Sequence, residues 1–181
     1  VTMTRIEDCE TCGVGTFCPV GSTSATPCAA GTFNDVEKQE SCNKCPAGTF
    51  QDVEGSTACK NCTEGHFCKV GAGAALPCPG GTTKQLGVTM TRIEDCETCG
   101  VGTFCPVGST SATPCAAGTF NDVEKQESCN KCPAGTFQDV EGSTACKNCT
   151  EGHFCKVGAG AALPCPGGTT KQLGVTMTRI E

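Results

Sequence analysis

Four cysteines in the first half of the chain could do chemistry together. Cys42-x2-Cys45-x13-Cys59-x2-Cys62 has the ligand spacing of a four-cysteine zinc site, in which thiolates hold the ion at about 2.3 Å. The same residue type also forms redox-active Cys-x-x-Cys pairs or structural disulfides. Two features decide among these. The ten cysteines of each 87-residue unit do not divide into fours, and Cys18, Cys28, Cys68 and Cys78 lie outside any Cys-x-x-Cys pair. No βαβ pattern surrounds a Cys-x-x-Cys to lower a thiol pKa. The cysteines are therefore expected to be oxidised, with no metal and no cofactor.

The remaining candidates are modifications. Asn61-Cys62-Thr63 and Asn148-Cys149-Thr150 fit the Asn-x-Ser/Thr acceptor for N-glycans. A cysteine in the middle position reduces occupancy if it is locked before the glycan is transferred. Ser22, Thr23, Ser24 and Thr26, with Thr82 and Thr83, form polar clusters that are candidate O-glycan sites. Asp35 with Glu37, and Asp52 with Glu54, place two carboxylates on one face of a strand. Calcium takes six to eight oxygens, so each pair is expected to be a solvated edge. His66 and His153 are the only histidines and have no paired acid, base or nucleophile in their unit. No catalytic constellation emerges, and the chain is not expected to be an enzyme.

The elements that must position these residues repeat. Residues 1–87 recur without change at 88–174, and Val175–Glu181 begin a third copy. Inside each unit are five diverged modules. In the first they start at Cys12, Cys28, Cys45, Cys62 and Cys78, with lengths of 16, 17, 17, 16 and 21 residues. Four share a Cys-x-x-Gly-Thr/His-Phe core ending at Phe17, Phe33, Phe50 and Phe67; the fifth reads Cys-Pro-Gly-Gly-Thr-Thr83. Repetition of this kind marks an array whose modules stack on their neighbours. Both chain ends interrupt the repeat, which reads as a window on a longer array. No leader or anchor is contained in it.

No apolar stripe recurs at helical spacing, and 24 Gly with 10 Pro punctuate every module. Gly48–Val53 reads as a strand after a glycine turn, with Glu54–Ser56 turning back toward Cys59. Residues 86–93 alternate in pattern and are the best strand candidate of the unit, either covering a neighbouring module or presenting an edge for assembly. The expected fold is small and disulfide-rich, mostly irregular with short β-hairpins and no helices, in an elongated tandem-repeat rod.

Composition bounds the rest. Cysteine makes up about 11% of the chain, 20 of 181 residues, above the roughly 8–10% that marks a disulfide scaffold. There is no Trp or Tyr, and only eight Phe. A buried Phe contributes at most ~3 kcal/mol and a bridge closing a 15-residue loop roughly 3 kcal/mol. Five bridges per unit thus weigh at least as much as four Phe. Such dependence points to an oxidising, extracellular setting, secreted or at a cell surface. With 13 basic against 19 acidic residues and no basic cluster, nucleic acid is not an expected partner. No apolar run approaches the ~20 residues of a membrane span.

The stretch Cys45-Pro-Ala-Gly-Thr-Phe-Gln-Asp-Val-Glu-Gly-Ser-Thr-Ala-Cys59-Lys-Asn-Cys62 resembles the ephrin-receptor-like cysteine-rich repeat. That family is similar to the elongated modules of tumour-necrosis-factor receptors and to EGF-like stalks. Gly15–Cys28 resembles tandem arrays in surface proteins of protists. The resemblance covers most of each unit, with Cys78–Cys96 matching worst, and implies an extracellular disulfide ladder.

Pairing inside each module gives Cys12–Cys18, Cys28–Cys42, Cys45–Cys59, Cys62–Cys68 and Cys78–Cys96. The second unit follows with Cys99–Cys105, Cys115–Cys129, Cys132–Cys146 and Cys149–Cys155. Cys28–Cys42 and Cys45–Cys59 also match the resemblance. Cys62–Cys78 with Cys68–Cys96 satisfies the count equally. Under the first scheme Cys9 and Cys165 have no partner in this chain.

The expectation is a non-catalytic extracellular structural protein, glycosylated, forming a rod or filament whose partners are copies of itself. A receptor-like ectodomain binding a protein ligand and a protective or antigenic surface coat are the alternatives. A ligand-binding face favours Trp, Tyr and Arg, and the arginines here are only Arg5, Arg92 and Arg179.

Overall fold

The structure, a computed structural model, describes residues 9–85 and 87–169. Leu86 and the opening of the third copy, Val175–Glu181, lie outside the described residues. The chain forms two compact units, Val1–Pro77 with Gln85–Asp95, and Cys78–Lys84 with Cys96–Glu181.

Each module begins with the same turn. In Pro46–Thr49 both the N–H and the hydroxyl of Thr49 donate to the Pro46 carbonyl, at 3.1 and 2.7 Å. The third residue, Gly48, has φ of 83°, the left-handed conformation that a type II turn requires there. Thr16, Thr32 and Thr82 bond back to Gly13, Ala29 and Pro79 in the same way. Among the described residues these turns deliver the chain into very short strands whose pairings are antiparallel hairpins, joined by isolated parallel bridges at Phe50–Ala72, Thr83–Ser109 and Phe137–Ala159.

In the first unit these are β1 (Thr16–Phe17) with β2 (Thr26–Pro27), β3 (Thr32–Phe33) with β4 (Asn43–Lys44), β5 (Thr49–Phe50) with β6 (Lys60–Asn61), and β7 (His66–Phe67) with β8 (Leu76–Pro77). The second unit holds the slightly longer pair β9 (Thr82–Lys84) and β10 (Cys96–Thr98). It then repeats the pattern in β11 (Thr103–Phe104) with β12 (Thr113–Pro114), β13 (Thr119–Phe120) with β14 (Asn130–Lys131), β15 (Thr136–Phe137) with β16 (Lys147–Asn148), and β17 (His153–Phe154) with β18 (Leu163–Pro164).

The expected return toward Cys59 runs past it: Phe50 opposes Lys60, and Thr49 opposes Asn61. A two-stranded hairpin of this size is not stable alone in water, so the modules must hold one another.

They do so by one rule. The N–H of a turn glycine donates to the next module's residue after the core: Gly15 to Asn34 at 2.8 Å, Gly31 to Gln51 at 2.7 Å and Gly48 to Cys68 at 2.8 Å. In return, a later loop donates to the carbonyl of a module's first cysteine: Lys38 to Cys12, Gly55 to Cys28 and Gly71 to Cys45, at 2.8–2.9 Å. The second unit repeats both sets from Gly102 to Gly158.

The core is largely sulfur. Cys28, Cys45, Cys68, Cys78, Cys99, Cys105, Cys115, Cys132 and Cys155 are fully buried, whereas Phe67, Phe154 and Met90 are the large apolar side chains buried among the described residues. Phe17, Phe33 and Phe50 are half-buried.

The alternating segment that ends at Ile93 is not a strand. Asp95 accepts the N–H of Thr91 at 2.7 Å, the N–H of Arg92 at 3.1 Å and the Thr91 hydroxyl at 3.0 Å. With those donors capped, the chain forms a short 3-10 turn at Ile93–Asp95. Met90 is buried, its carbonyl accepts the Cys68 N–H at 3.1 Å, and the Thr89 methyl lies against Gly48. The segment is a cover over two neighbouring modules, and no α-helix occurs among the described residues.

Candidate functional site

The cysteines that carry the metal-like spacing are parted among three bridges, Cys28–Cys42, Cys45–Cys59 and Cys62–Cys68. Hairpin closure explains this. β3–β4 and β5–β6 each bring a module's first cysteine back beside the cysteine that precedes the returning strand, with Cα atoms 5.7 and 5.8 Å apart. These separations sit within the range a disulfide demands.

Cys12–Cys18 and Cys62–Cys68 close tight six-residue separations, with Cα atoms 6.2 and 5.9 Å apart. Cys78–Cys96 spans the cover segment at 5.9 Å. The second unit holds Cys99–Cys105, Cys115–Cys129, Cys132–Cys146 and Cys149–Cys155. Cys9 is an exposed thiol and Cys165 a half-buried one.

Where a long module lacks a second cysteine directly after its Phe, an amide takes that place. Cys18 and Cys68 follow Phe17 and Phe67; Asn34 and Gln51 follow Phe33 and Phe50. Asn34 is fully buried. Its Nδ2 donates to the carbonyls of Thr16 at 3.0 Å and Ser41 at 3.1 Å, and its Oδ1 accepts the Asn43 N–H at 3.3 Å. The Gln51 Nε2 donates to Ala58 at 2.7 Å, and its Oε1 accepts the Val53 N–H at 3.0 Å. Aligning the modules on their Phe would have revealed this exchange of a covalent tie for a hydrogen-bonded one.

The sequon asparagines Asn61 and Asn148 are exposed on β6 and β16. The middle residue of each sequon is bridged, Cys62 to Cys68 and Cys149 to Cys155. Beside Asn61, the Lys60 ammonium lies 2.5 Å from the Asp52 carboxylate and 5.8 Å from the centre of the Phe50 ring. That hydrogen bond from Lys60 holds the Asp52 carboxyl below its ordinary pKa, as Lys147 does for Asp139.

Ser22, Thr23, Ser24 and Thr26 are all exposed, with the Ser22 hydroxyl donating to Pro19 at 2.6 Å. Thr82 and Thr83 differ. They are 4% and 8% exposed, and their hydroxyls donate to the carbonyls of Pro79 at 2.6 Å and Ser109 at 3.2 Å. A sugar on either would require this hairpin to open.

Asp35, Glu37, Asp52 and Glu54 are exposed. The His66 backbone N–H donates to the Thr63 carbonyl at 3.2 Å, closing the turn as in other modules, while its Nδ1 lies 2.8 Å from the Glu64 carbonyl. Among the described residues no group of three His, Cys, Asp or Glu side chains could hold a metal ion. No helix there is long and apolar enough to cross a membrane.

One further surface feature passes unnoticed in a search for reactive residues. Each of the first four modules ends its loop on an exposed valine, Val20, Val36, Val53 and Val70, at intervals of 16, 17 and 17 residues.

Comparison with known families agrees with this architecture. The family described as tyrosine-protein kinase ephrin type A/B receptor-like matches at residues 15–62, 31–75, 102–149 and 118–162. No curated protein matches the chain.

Proposed function

The chain belongs to the ephrin type A/B receptor-like family, and from that membership we propose that it is a glycosylated extracellular structural protein whose modules continue into a rod or filament. The repeat of this family is a non-catalytic ectodomain module. No enzymatic role is proposed for this chain.

The observation that carries the reading is the glycine-to-next-module hydrogen bond, repeated at Gly15, Gly31 and Gly48. Nearest-neighbour contacts of one kind can be extended along an array, because an added module of the same type would meet the same donor and acceptor. Sulfur bridges inside the modules supply the stiffness that a large apolar core supplies elsewhere. Glycans at Asn61 and Asn148 would recur once per repeat.

The family's description favours a second reading, a receptor-like ectodomain that binds a protein ligand. Arg92, an anchor such a face would use, has its guanidinium 3.4 Å from Asp95.

Small-angle scattering of the full chain secreted from eukaryotic cells tests the rod. The expected radius of gyration is well above the ~16 Å of a compact chain of this length, and a value near it would overturn the reading. Mass spectrometry of the same material tests the glycans, expected on Asn61 and Asn148; bare asparagines at both would remove that part.

A further inference from the structure

We propose that the exposed loop valines, with the charges beside them, are a lateral docking surface for a second copy of this chain. The inference rests on the rod reading and names the contact between rods.

Val20, Val36, Val53 and Val70 are 91%, 57%, 55% and 62% exposed, and Val107, Val123, Val140 and Val157 are 59%, 58%, 55% and 63% exposed. An isolated exposed valine means little. Here one recurs at the same place in module after module. Three of these loops are fixed by equivalent hydrogen bonds, from Lys38, Gly55 and Gly71 to the first cysteine of an earlier module. The valines are therefore held out on ordered loops.

The flanking charges identify the occupant. Val20 lies between Pro19 and Gly21, Val36 between Asp35 and Glu37, Val53 between Asp52 and Glu54, and Val70 between Lys69 and Gly71. The fifth module has Leu86 at that position in its sequence, and its exposed valine, Val88 at 41%, follows two residues later between Gly87 and Thr89. The order is neutral, acidic, acidic, basic, neutral. Among the described residues Lys69 and Lys156 make no ion pair, and Asp35, Glu37 and Glu54 make none either.

Two copies placed side by side in register would set acidic loops against acidic loops. An offset of two modules instead sets Lys69 of one copy against Asp35 and Glu37 of the other, and Asp52 and Glu54 against the neutral Val88 loop. No like-charged loops then meet. The chain carries both halves of a complementary surface, displaced from each other, which is a heterologous contact that does not close on itself.

The test is sedimentation equilibrium of the full chain, with Cys9 and Cys165 alkylated so that new bridges cannot mimic association. The wild-type chain is expected to self-associate, and to weaken at least tenfold as salt rises from about 50 to 500 mM. Lys69→Glu with Lys156→Glu should lower the association constant at least tenfold. So should Val36→Ser, Val70→Ser, Val123→Ser and Val157→Ser combined.

A second charge variant carries Asp35→Lys, Glu37→Lys, Asp122→Lys and Glu124→Lys. Mixing it with the Lys69→Glu, Lys156→Glu chain should restore association. A monomeric wild-type chain, an association indifferent to both charge variants, or a mixture no stronger than its parts would overturn the proposal. Scattering of the same samples reads the rod separately: a monomer that scatters as a rod removes the docking surface alone.

Discussion

The carbonyl of Gly55 lies directly over the Cα of Gly15, forty residues earlier in the chain, leaving no room for a Cβ. The same relation joins Gly71 to Gly31, Gly142 to Gly102 and Gly158 to Gly118. Every lower partner has a left-handed φ of 73–84°, so the position is closed to side chains by conformation and by space together.

Gly15→Ala is accordingly expected to be strongly destabilising. The left-handed conformation costs about 1–2 kcal/mol for a residue with a Cβ, and overlap with fixed backbone adds roughly 1–3 kcal/mol. Gly13→Ala, with nothing within 4 Å of the added methyl and no positive φ, is the control and should be near neutral. Hydrogen exchange at the Gly15 amide, protected by its bond to Asn34 in the native chain, distinguishes the two variants.

Asn34→Leu buries a side chain that no longer bonds the Thr16 and Ser41 carbonyls or the Asn43 N–H, all three part-buried hydrogen bonds. Each buried group left unsatisfied costs about 1–3 kcal/mol, so the hairpin β3–β4 should lose protection. Asn121→Leu should repeat the effect in the second unit, where the equivalent bonds to Thr103 and Ser128 are present. Calorimetric melting of the two variants checks this; unchanged transitions would refute it.

Lys38 and Lys125 have φ of 61° and 63°, and they are the non-glycine residues with positive φ among those described. Lys38 occupies the loop position that Gly55 and Gly71 hold in the next modules, donating to the carbonyl of the first cysteine. Lys38→Gly should therefore stabilise the chain by about 0.5–1 kcal/mol, the left-handed penalty relieved less the added freedom of the unfolded glycine. A melting temperature that falls instead would show that the lysine side chain contributes more than its backbone costs.

The Asp95 carboxyl is held below the ordinary carboxylate range, first by the Thr91 N–H and also by the Thr91 hydroxyl and by Arg92. A depressed folded pKa means that its stabilisation is fully present above the unfolded value and is lost as pH falls through the folded one. The cover segment should therefore loosen only in strong acid. Proton exchange at the amides of Thr91 and Arg92, after correction for the intrinsic rate, should accelerate there, and Asp95→Asn should show weakened protection already at neutral pH.

The hairpins and their glycine turns were legible because their signals are local. Cys-x-x-Gly-Thr-Phe contains the turn, the residue that closes it and the strand that follows. The Gly15–Gly55 approach was not legible, since nothing within either module announces a partner forty residues away. At the segment before Asp95 the expected covering of a neighbouring module holds, and only the strand conformation fails. The alternation at Val88, Met90 and Arg92 suggested pairing, but a single carboxylate at Asp95 satisfies the backbone donors that pairing would have used. Thr82 and Thr83 looked like a polar loop because composition cannot show that their hydroxyls are bound within the hairpin.

The placement of the bridges also fixes how the chain would stretch. If its ends were pulled, the residues enclosed by Cys28–Cys42 and Cys45–Cys59 could not lengthen, because force passes directly through the sulfurs. Between those bridges lie only Asn43 and Lys44. Most of the slack lies in Pro19–Pro27 and Lys69–Pro77, the long stretches of the first repeat outside any bridge, since the others, Asn43–Lys44, Lys60–Asn61 and Glu97–Thr98, are dipeptides. Each repeat would give at those stretches and then stop, a tether with short elastic links set between inextensible ones.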